Sequence, residues 1–202
     1  MKIGLDVDGC MYDFVDSWLN APTTIEYMMD KGIPYPDDPA FHTWDDWERM
    51  GFTLQGFLET CVRGVDDGVI FRYGAPFDGV VDVIEALRDE GHTIHIITHR
   101  TFGKKSVQNT MEWFNEYEIP FDTFTFAEDK TIVGVDLLLD DRDKNYEQSV
   151  KEGIPCVLMD RDWNQHVKFA PRVSDWYEFH EYVHEFEKGL LQLEASPLRY
   201  LP

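Results

Sequence analysis

Asp6 and Asp8 stand one residue apart, directly before Gly9 and directly after the short run Met1-Lys2-Ile3-Gly4-Leu5. That order reads as a buried strand ending in a tight turn, with two carboxylates delivered at its C-terminal end. A second acidic pair, Asp140-Asp141, closes the apolar run Asp136-Leu137-Leu138-Leu139. Brought together, the two pairs would form an oxygen cage. Mg²⁺ prefers such hard ligands, keeps several waters, and binds through one or two carboxylates plus a substrate phosphate. Thr98, at the end of Thr93-Ile94-His95-Ile96-Ile97, and Lys130 add a hydroxyl and a cation suited to that phosphate. Each residue alone has a plainer reading. Acids at strand ends start loops or cap helices, a threonine closes a strand, and a lysine lies on the surface. All four elements in this chain order at strand ends argue for chemistry.

The elements that must position them alternate. Val80, Val83, Ile84 and Leu87 share one helical face, with Gly91 placed to end the helix. The strand ending at Thr98 follows. Val107, Met111 and Phe114 mark a further helix up to Pro120, and Phe124-Thr125-Phe126 a short strand. Lys144 to Gly153 reads as helix and Pro155-Cys156-Val157-Leu158-Met159 as strand. A last helix starts near Ser174, with Trp176, Phe179, Val183 and Phe186 facing inward. Strands separated by helices predict an α/β fold with a doubly wound parallel sheet. Its ligands should bind beyond the carboxyl ends of the strands, where strand order reverses. Near the N-terminus, Met11, Phe14, Val15, Trp18 and Leu19 predict an amphipathic helix ended by Asn20-Ala21-Pro22. The aromatic, acidic, proline-broken text from there to Phe77 reads as a small helical insertion.

A chain of 202 residues fits one α/β domain carrying one modest insertion. Its 18 Lys+Arg against 39 Asp+Glu give a net charge of −21, which repels phosphate polymers and argues against a nucleic-acid polymer as partner. Apolar residues at 43% and aromatics at 14% exclude a disordered acidic chain. Cys10, Cys61 and Cys156 are too widely spaced for a disulfide framework or a Cys-x-x-Cys metal site. No stretch approaches the roughly 18 apolar residues of a membrane span. The expectation is a soluble cytoplasmic protein with no membrane partner; a homodimer is left open.

Asp6-Val7-Asp8-Gly9, Thr98, Lys130 and Asp140-Asp141 together resemble the four signature motifs of the haloacid-dehalogenase-like (HAD-like) phosphatases. More narrowly, Asp129-Lys130-Thr131-Ile132-Val133 and Asp136 through Asp143 are similar to the type C 5′-nucleotidases, the 5′(3′)-deoxyribonucleotidases. So are Asp13-Phe14 and Ser174-Asp175-Trp176. The resemblance covers most of the core and is thin between Asn20 and Phe71. It implies a HAD-like Rossmannoid core of residues 1–13 and 78–188, a helical cap of residues 14–77 inserted after the first strand, and a tail of residues 189–202. It implies Asp6 as nucleophile, Asp8 as general acid and base, and Thr98 and Lys130 as phosphate-holding groups. Mg²⁺ would touch the Asp6 carboxylate, the backbone carbonyl of Asp8 and the Asp141 carboxylate, with Asp140 beside it. Phe14 would pack against a nucleoside.

The function so implied is a Mg²⁺-dependent phosphomonoesterase that removes phosphate from (deoxy)nucleoside 5′- or 3′-monophosphates through an aspartyl phosphate. A cap of that size favours a small nucleotide over a polymer end. The chain departs from the family pattern in having His99-Arg100 after Thr98, where the relatives have a small residue and often proline. Glu128 replaces a cation, and Lys104 or Lys105 stands for a further phosphate-binding lysine. His99 is expected at the phosphate, or supporting it from behind, and Arg100 at the substrate.

Other readings compete. A HAD-like phosphatase of another small phosphomonoester, or of a polynucleotide 3′-end, shares the Asp-x-Asp-Gly start. A degenerate fold used only for binding is disfavoured because every motif residue is present. His180-Glu181-Tyr182-Val183-His184 matches His-Glu-x-x-His, a zinc-peptidase pattern, but no histidine follows to complete its longer form.

Overall fold

From β1 (Lys2–Leu5) the chain of the computed structural model, which describes residues 1–189, runs into α1 (Phe14–Leu19), α2 (Pro22–Lys31) and α3 (Leu54–Asp66). Alternation then begins with α4 (Val80–Asp89), β2 (Thr93–Thr98), α5 (Ser106–Glu116) and β3 (Thr123–Phe126). It continues through β4 (Leu137–Asp140), α6 (Asp143–Lys151), β5 (Cys156–Met159), β6 (Arg172–Val173) and α7 (Trp176–Glu187). The six strands form one sheet in the order β3-β2-β1-β4-β5-β6, and every pairing is parallel. This is the doubly wound sheet that the sequence predicts, and its strand order reverses between β1 and β4.

Register carries the chemistry to one edge. Leu5 lies opposite Ile96 on one side and Leu139 on the other. The next residue, Asp6, donates its backbone N–H to the Leu139 carbonyl at 3.0 Å, so the end of β1 stays tied to the end of β4. Ile3, Leu5, Ile94, Ile96, Leu137 and Leu139 are fully buried, as the central strands of a sheet covered on both faces must be. The core continues into the helices, where Val83, Ile84 and Leu87 of α4 and Trp176, Phe179 and Val183 of α7 are buried as their spacing predicts.

Between β1 and α4 the chain carries α1, α2 and α3. Pro22 does more than end α1. It opens α2 at the first helical turn, where a missing N–H costs nothing. Gly32 then ends α2 in the left-handed region, at φ 67°. Thr53 caps α3 by accepting from Gly56 N–H at 3.1 Å. The aromatics pack inward: Trp18 and Phe57 lie 5.0 Å apart edge to face, Trp47 stacks on Phe57 at 4.2 Å, and the Trp18 indole donates to Thr60 Oγ1 at 2.9 Å.

One expected helix face needs correction. The predicted inward stripe of α5 is rotated, because Val107 is 53% exposed while Ser106, Asn109, Thr110, Trp113 and Phe114 are buried. Asn109 spends its amide on the carbonyls of Val65 and Ile70, and the Trp113 indole donates to Gly74. This face is a polar joint to the chain around α3, and an apolar periodicity cannot show it. The two-residue β6 had no expectation at all, being too short for any period. The expected tail lies, from residue 190 on, outside the described residues. Among the described residues no helix is long and apolar enough to cross a membrane.

Candidate active site

Lys130 Nζ sits 2.6 Å from Asp6 Oδ2 and 2.7 Å from Asp140 Oδ2, and all three side chains are almost wholly buried. Lys130 opens a short 3₁₀ turn (Lys130–Val133) whose entry is fixed by Asp129 accepting from Thr131 N–H at 3.0 Å. Asp140 is fully engaged: it also accepts from Arg142 N–H at 2.9 Å and from the Asn145 amide at 3.0 and 3.1 Å. Its role is to anchor Lys130. Asp6 accepts from Val7 N–H at 2.7 Å through Oδ1. Asp141 accepts from the Trp163 indole at 3.0 Å through Oδ2, while its Oδ1 is buried without a partner among the described residues. Thr98 Oγ1 is likewise buried and unpartnered among them.

Three carboxylates therefore crowd one ammonium. Burial, reinforced by Asp140 and Asp8, pushes the Asp6 carboxyl up to about 7 against the pull of Lys130. Burial followed by Asp6 and Asp140 raises Asp141 well above the usual carboxylate range. Burial disfavours the charge on Lys130, but Asp140 and Asp6 outweigh it and hold the ammonium protonated. Gly9 makes the crowding possible. It sits at φ 73°, and a Cβ there would come within 2.1 Å of Asp141 Oδ2.

Asp8 is held differently. Arg100 Nε lies 3.0 Å from Asp8 Oδ2 and its Nη2 2.8 Å from Oδ1, a two-pronged grip on one carboxylate. The guanidinium is buried over the Tyr12 and Phe71 rings, at 4.6 and 4.4 Å. It also donates to Thr110 Oγ1 at 3.2 Å. Arg100 was expected at the substrate; instead its charge is spent on Asp8 behind the cleft wall. The side chain that the sequence suggested for substrate thus grips Asp8.

Asp6, Asp8, Thr98, Lys130 and Asp141 line the base of a cleft of about 1010 Å³. His99 also lines it, exposed, while Lys104 and Lys105 do not. Phe14 stands in the wall within 6.0 to 6.3 Å of Phe57, Phe71 and Phe102, and Arg142 lies over the Trp44 ring at 4.4 Å. Trp47 and Phe57 are both packed and cleft-lining, whereas Phe52 is packed only.

The family described as 5′ nucleotidase, deoxy (pyrimidine), cytosolic type C protein matches residues 1–186. The chain belongs to this family. A Chlorobaculum tepidum protein named "Putative 5′(3′)-deoxyribonucleotidase" is 26% identical over 190 residues, covering 91% of this chain and 90% of that one. Among solved structures, a "putative phosphoglycolate phosphatase" from Lactobacillus delbrueckii superposes with TM-score 0.65 at 12% identity, over 90% of this chain and 97% of its own. A HAD-superfamily hydrolase from Ehrlichia chaffeensis does so with TM-score 0.54 at 10% identity, over 92% and 97%. The fold is HAD-like, and this type C nucleotidase is a phosphatase.

HAD phosphatases generally use Mg²⁺, and the residues of this nucleotidase fit that ion. Asp141 Oδ1 is a buried oxygen lacking a partner, and the excess of carboxylate over ammonium calls for a divalent cation. Cys10 also lies within ligand distance of Asp6 and Asp141. Burial, with Asp141 next, pushes its thiol up, so a neutral sulfur faces the site and the two carboxylates are the donors suited to a hard ion. Without metal, Lys130→Met should leave three buried carboxylates with no cation in contact. In EDTA at pH 8 a melting temperature lower by roughly 10 °C is expected, from a cost of about 3–5 kcal/mol. At pH 5, where Asp6 protonates, thermal melts should show a smaller loss.

Several site residues lay beyond the motif reading. Trp163 and Arg161 follow β5 at the same sheet edge; Arg161 donates to the Gly9 carbonyl at 2.8 Å and holds the turn between the aspartates and α1. Asn164 bridges the carbonyls of Asp141 and Met159, each at 2.8 Å. A strand-end search extended to β5 would have found all three. Phe102 carries no such signal.

Proposed function

We propose that this nucleotidase hydrolyses (deoxy)nucleoside 5′- or 3′-monophosphates through an aspartyl phosphate on Asp6. The observation that carries the reading is the pairing of a buried carboxylate–ammonium cluster with an aromatic-walled cleft roomy enough for a nucleotide. Asp6 attacks phosphorus in line with the departing alkoxide. Lys130 and the free Thr98 hydroxyl hold the phosphoryl oxygens, with exposed His99 at the rim. In the substrate complex Asp8, steered by Arg100 and then carrying a proton, gives it to the leaving alkoxide and later takes one from the water that hydrolyses the acyl phosphate. Asp6, Asp141 and the Asp8 carbonyl would hold Mg²⁺, which when bound neutralises phosphoryl charge in an otherwise acidic site. Phe14 packs against the nucleoside, and residues 14–77 act as the cap that closes over it.

A panel of nucleoside 5′- and 3′-monophosphates and sugar phosphates, assayed by released phosphate, tests this. The expected result is a kcat/KM at least roughly tenfold higher for the nucleotides, from aromatic stacking worth about 1–3 kcal/mol. Activity should stop in EDTA and return with Mg²⁺. Equal rates on a bare sugar phosphate would reject the nucleotide assignment.

A further inference from the structure

Glu90, the residue that closes α4, has each carboxylate oxygen taken by a different imidazole. His180 Nε2 meets Oε1 and His184 Nε2 meets Oε2, both at 2.9 Å. The two histidines lie one turn apart on α7 with ring centroids 4.5 Å apart, so one carboxylate from α4 is bracketed by one face of α7. The three donor atoms are all within 4.8 Å of one another. A third imidazole borders the group. His92 is buried, its Nδ1 faces the chain's amino terminus at 3.2 Å, and its Nε2, 3.8 Å from Glu90 Oε2, has no hydrogen-bond partner among the described residues.

This cluster is not part of the catalytic cleft, which none of the four residues lines. His92 directly precedes β2, and Thr98 ends that strand at the cleft. Six residues of extended chain separate the two by about 20 Å. The donors also differ in kind. Two imidazoles with one carboxylate suit a borderline ion such as Zn²⁺, whereas the all-oxygen catalytic set suits Mg²⁺. A tetrahedral ion with bonds of about 2.0–2.1 Å holds its donor atoms about 3.3 Å apart. The observed nitrogen–oxygen contacts of 2.9 Å are a few tenths of an ångström shorter, and the three donor atoms lie within 4.8 Å of one another, so a shared ion would draw both imidazoles onto the carboxylate by side-chain adjustment alone. The side chains of Glu90, His180 and His184 are 35%, 25% and 40% exposed, which leaves an entry path.

We propose that Glu90, His180 and His184 form a second metal site, for a divalent transition ion of the Zn²⁺ class, which fastens α7 to the end of α4. The His-Glu-x-x-His spacing then has a structural use, its third ligand coming from another helix. The site owes nothing to the substrate assignment above.

The test is a thermal melt of the untagged full chain with Mg²⁺ saturating and ZnCl₂ added. At Zn²⁺ roughly 100-fold above its Kd, Tm should rise by about 5–10 °C. The rise should vanish in His180→Ala and in Glu90→Gln, and persist in Asp141→Asn, which alters only the catalytic cluster. Co²⁺ should give a visible absorption band in the wild type and in Asp141→Asn, absent from His180→Ala and Glu90→Gln. A Zn²⁺ shift undiminished in both cluster variants, a shift abolished by Asp141→Asn, or no shift at all would overturn the proposal.

Discussion

Asp6→Asn should lower kcat by roughly 10⁴–10⁶-fold, the scale of losing a covalent nucleophile, without unfolding the protein. The amide keeps the shape of the carboxyl but has no anionic oxygen to attack phosphorus. The fold should tolerate the change because Lys130 keeps its 2.7 Å contact with Asp140, and one of three crowded negative charges is gone. The sign of the pH effect follows from the raised Asp6 carboxyl, about 7 in the folded protein against an ordinary value of 3.8. Between these values the folded state binds more protons than the unfolded chain, so metal-free stability is present at low pH and is lost as pH rises toward 7. In EDTA, Asp6→Asn should flatten that decline. Stopped-flow phosphate release and melts from pH 4 to 8 measure the two halves. A variant that retained a hundredth of wild-type turnover would remove Asp6 from the nucleophile's role.

The site was legible because its parts sit where parallel strands end. β1 stops at Leu5, opposite Leu139, and β4 one residue later at Asp140, so Asp6 and Asp140-Asp141 converge at the strands' carboxyl ends by register alone. Lys130 lies on no strand, yet the motif resemblance located it. The fold was legible where apolar periodicity marks the buried face, as in α4 and α7. It failed in α5, where Asn109 and Thr110 are buried by hydrogen bonds to carbonyls and a guanidinium that no period encodes. Arg100 failed for a related reason. A cation beside a motif threonine invites a phosphate contact, and only the fold reveals the Tyr12 and Phe71 faces that draw it inward.

That buried position sets the second large effect. Arg100→Met should reduce kcat by about 10²–10³-fold while changing KM much less, since the guanidinium aims Asp8 and does not line the cleft. Methionine fills most of the space over the two rings, which limits the packing loss. The lost ion pair still costs stability, although Asp8, 28% exposed, can recover some of it from water. A purely structural role for Arg100 would predict a lower Tm with kcat intact in the folded fraction. Positioning predicts more: with Asp8→Asn already in place, Arg100→Met should cost little further turnover, because there is no longer an acid to aim. If the two losses instead multiply, Arg100 acts on the reaction by another route and the two-pronged contact is incidental to catalysis. A double-mutant cycle in kcat, each variant first checked for folding, decides between these outcomes.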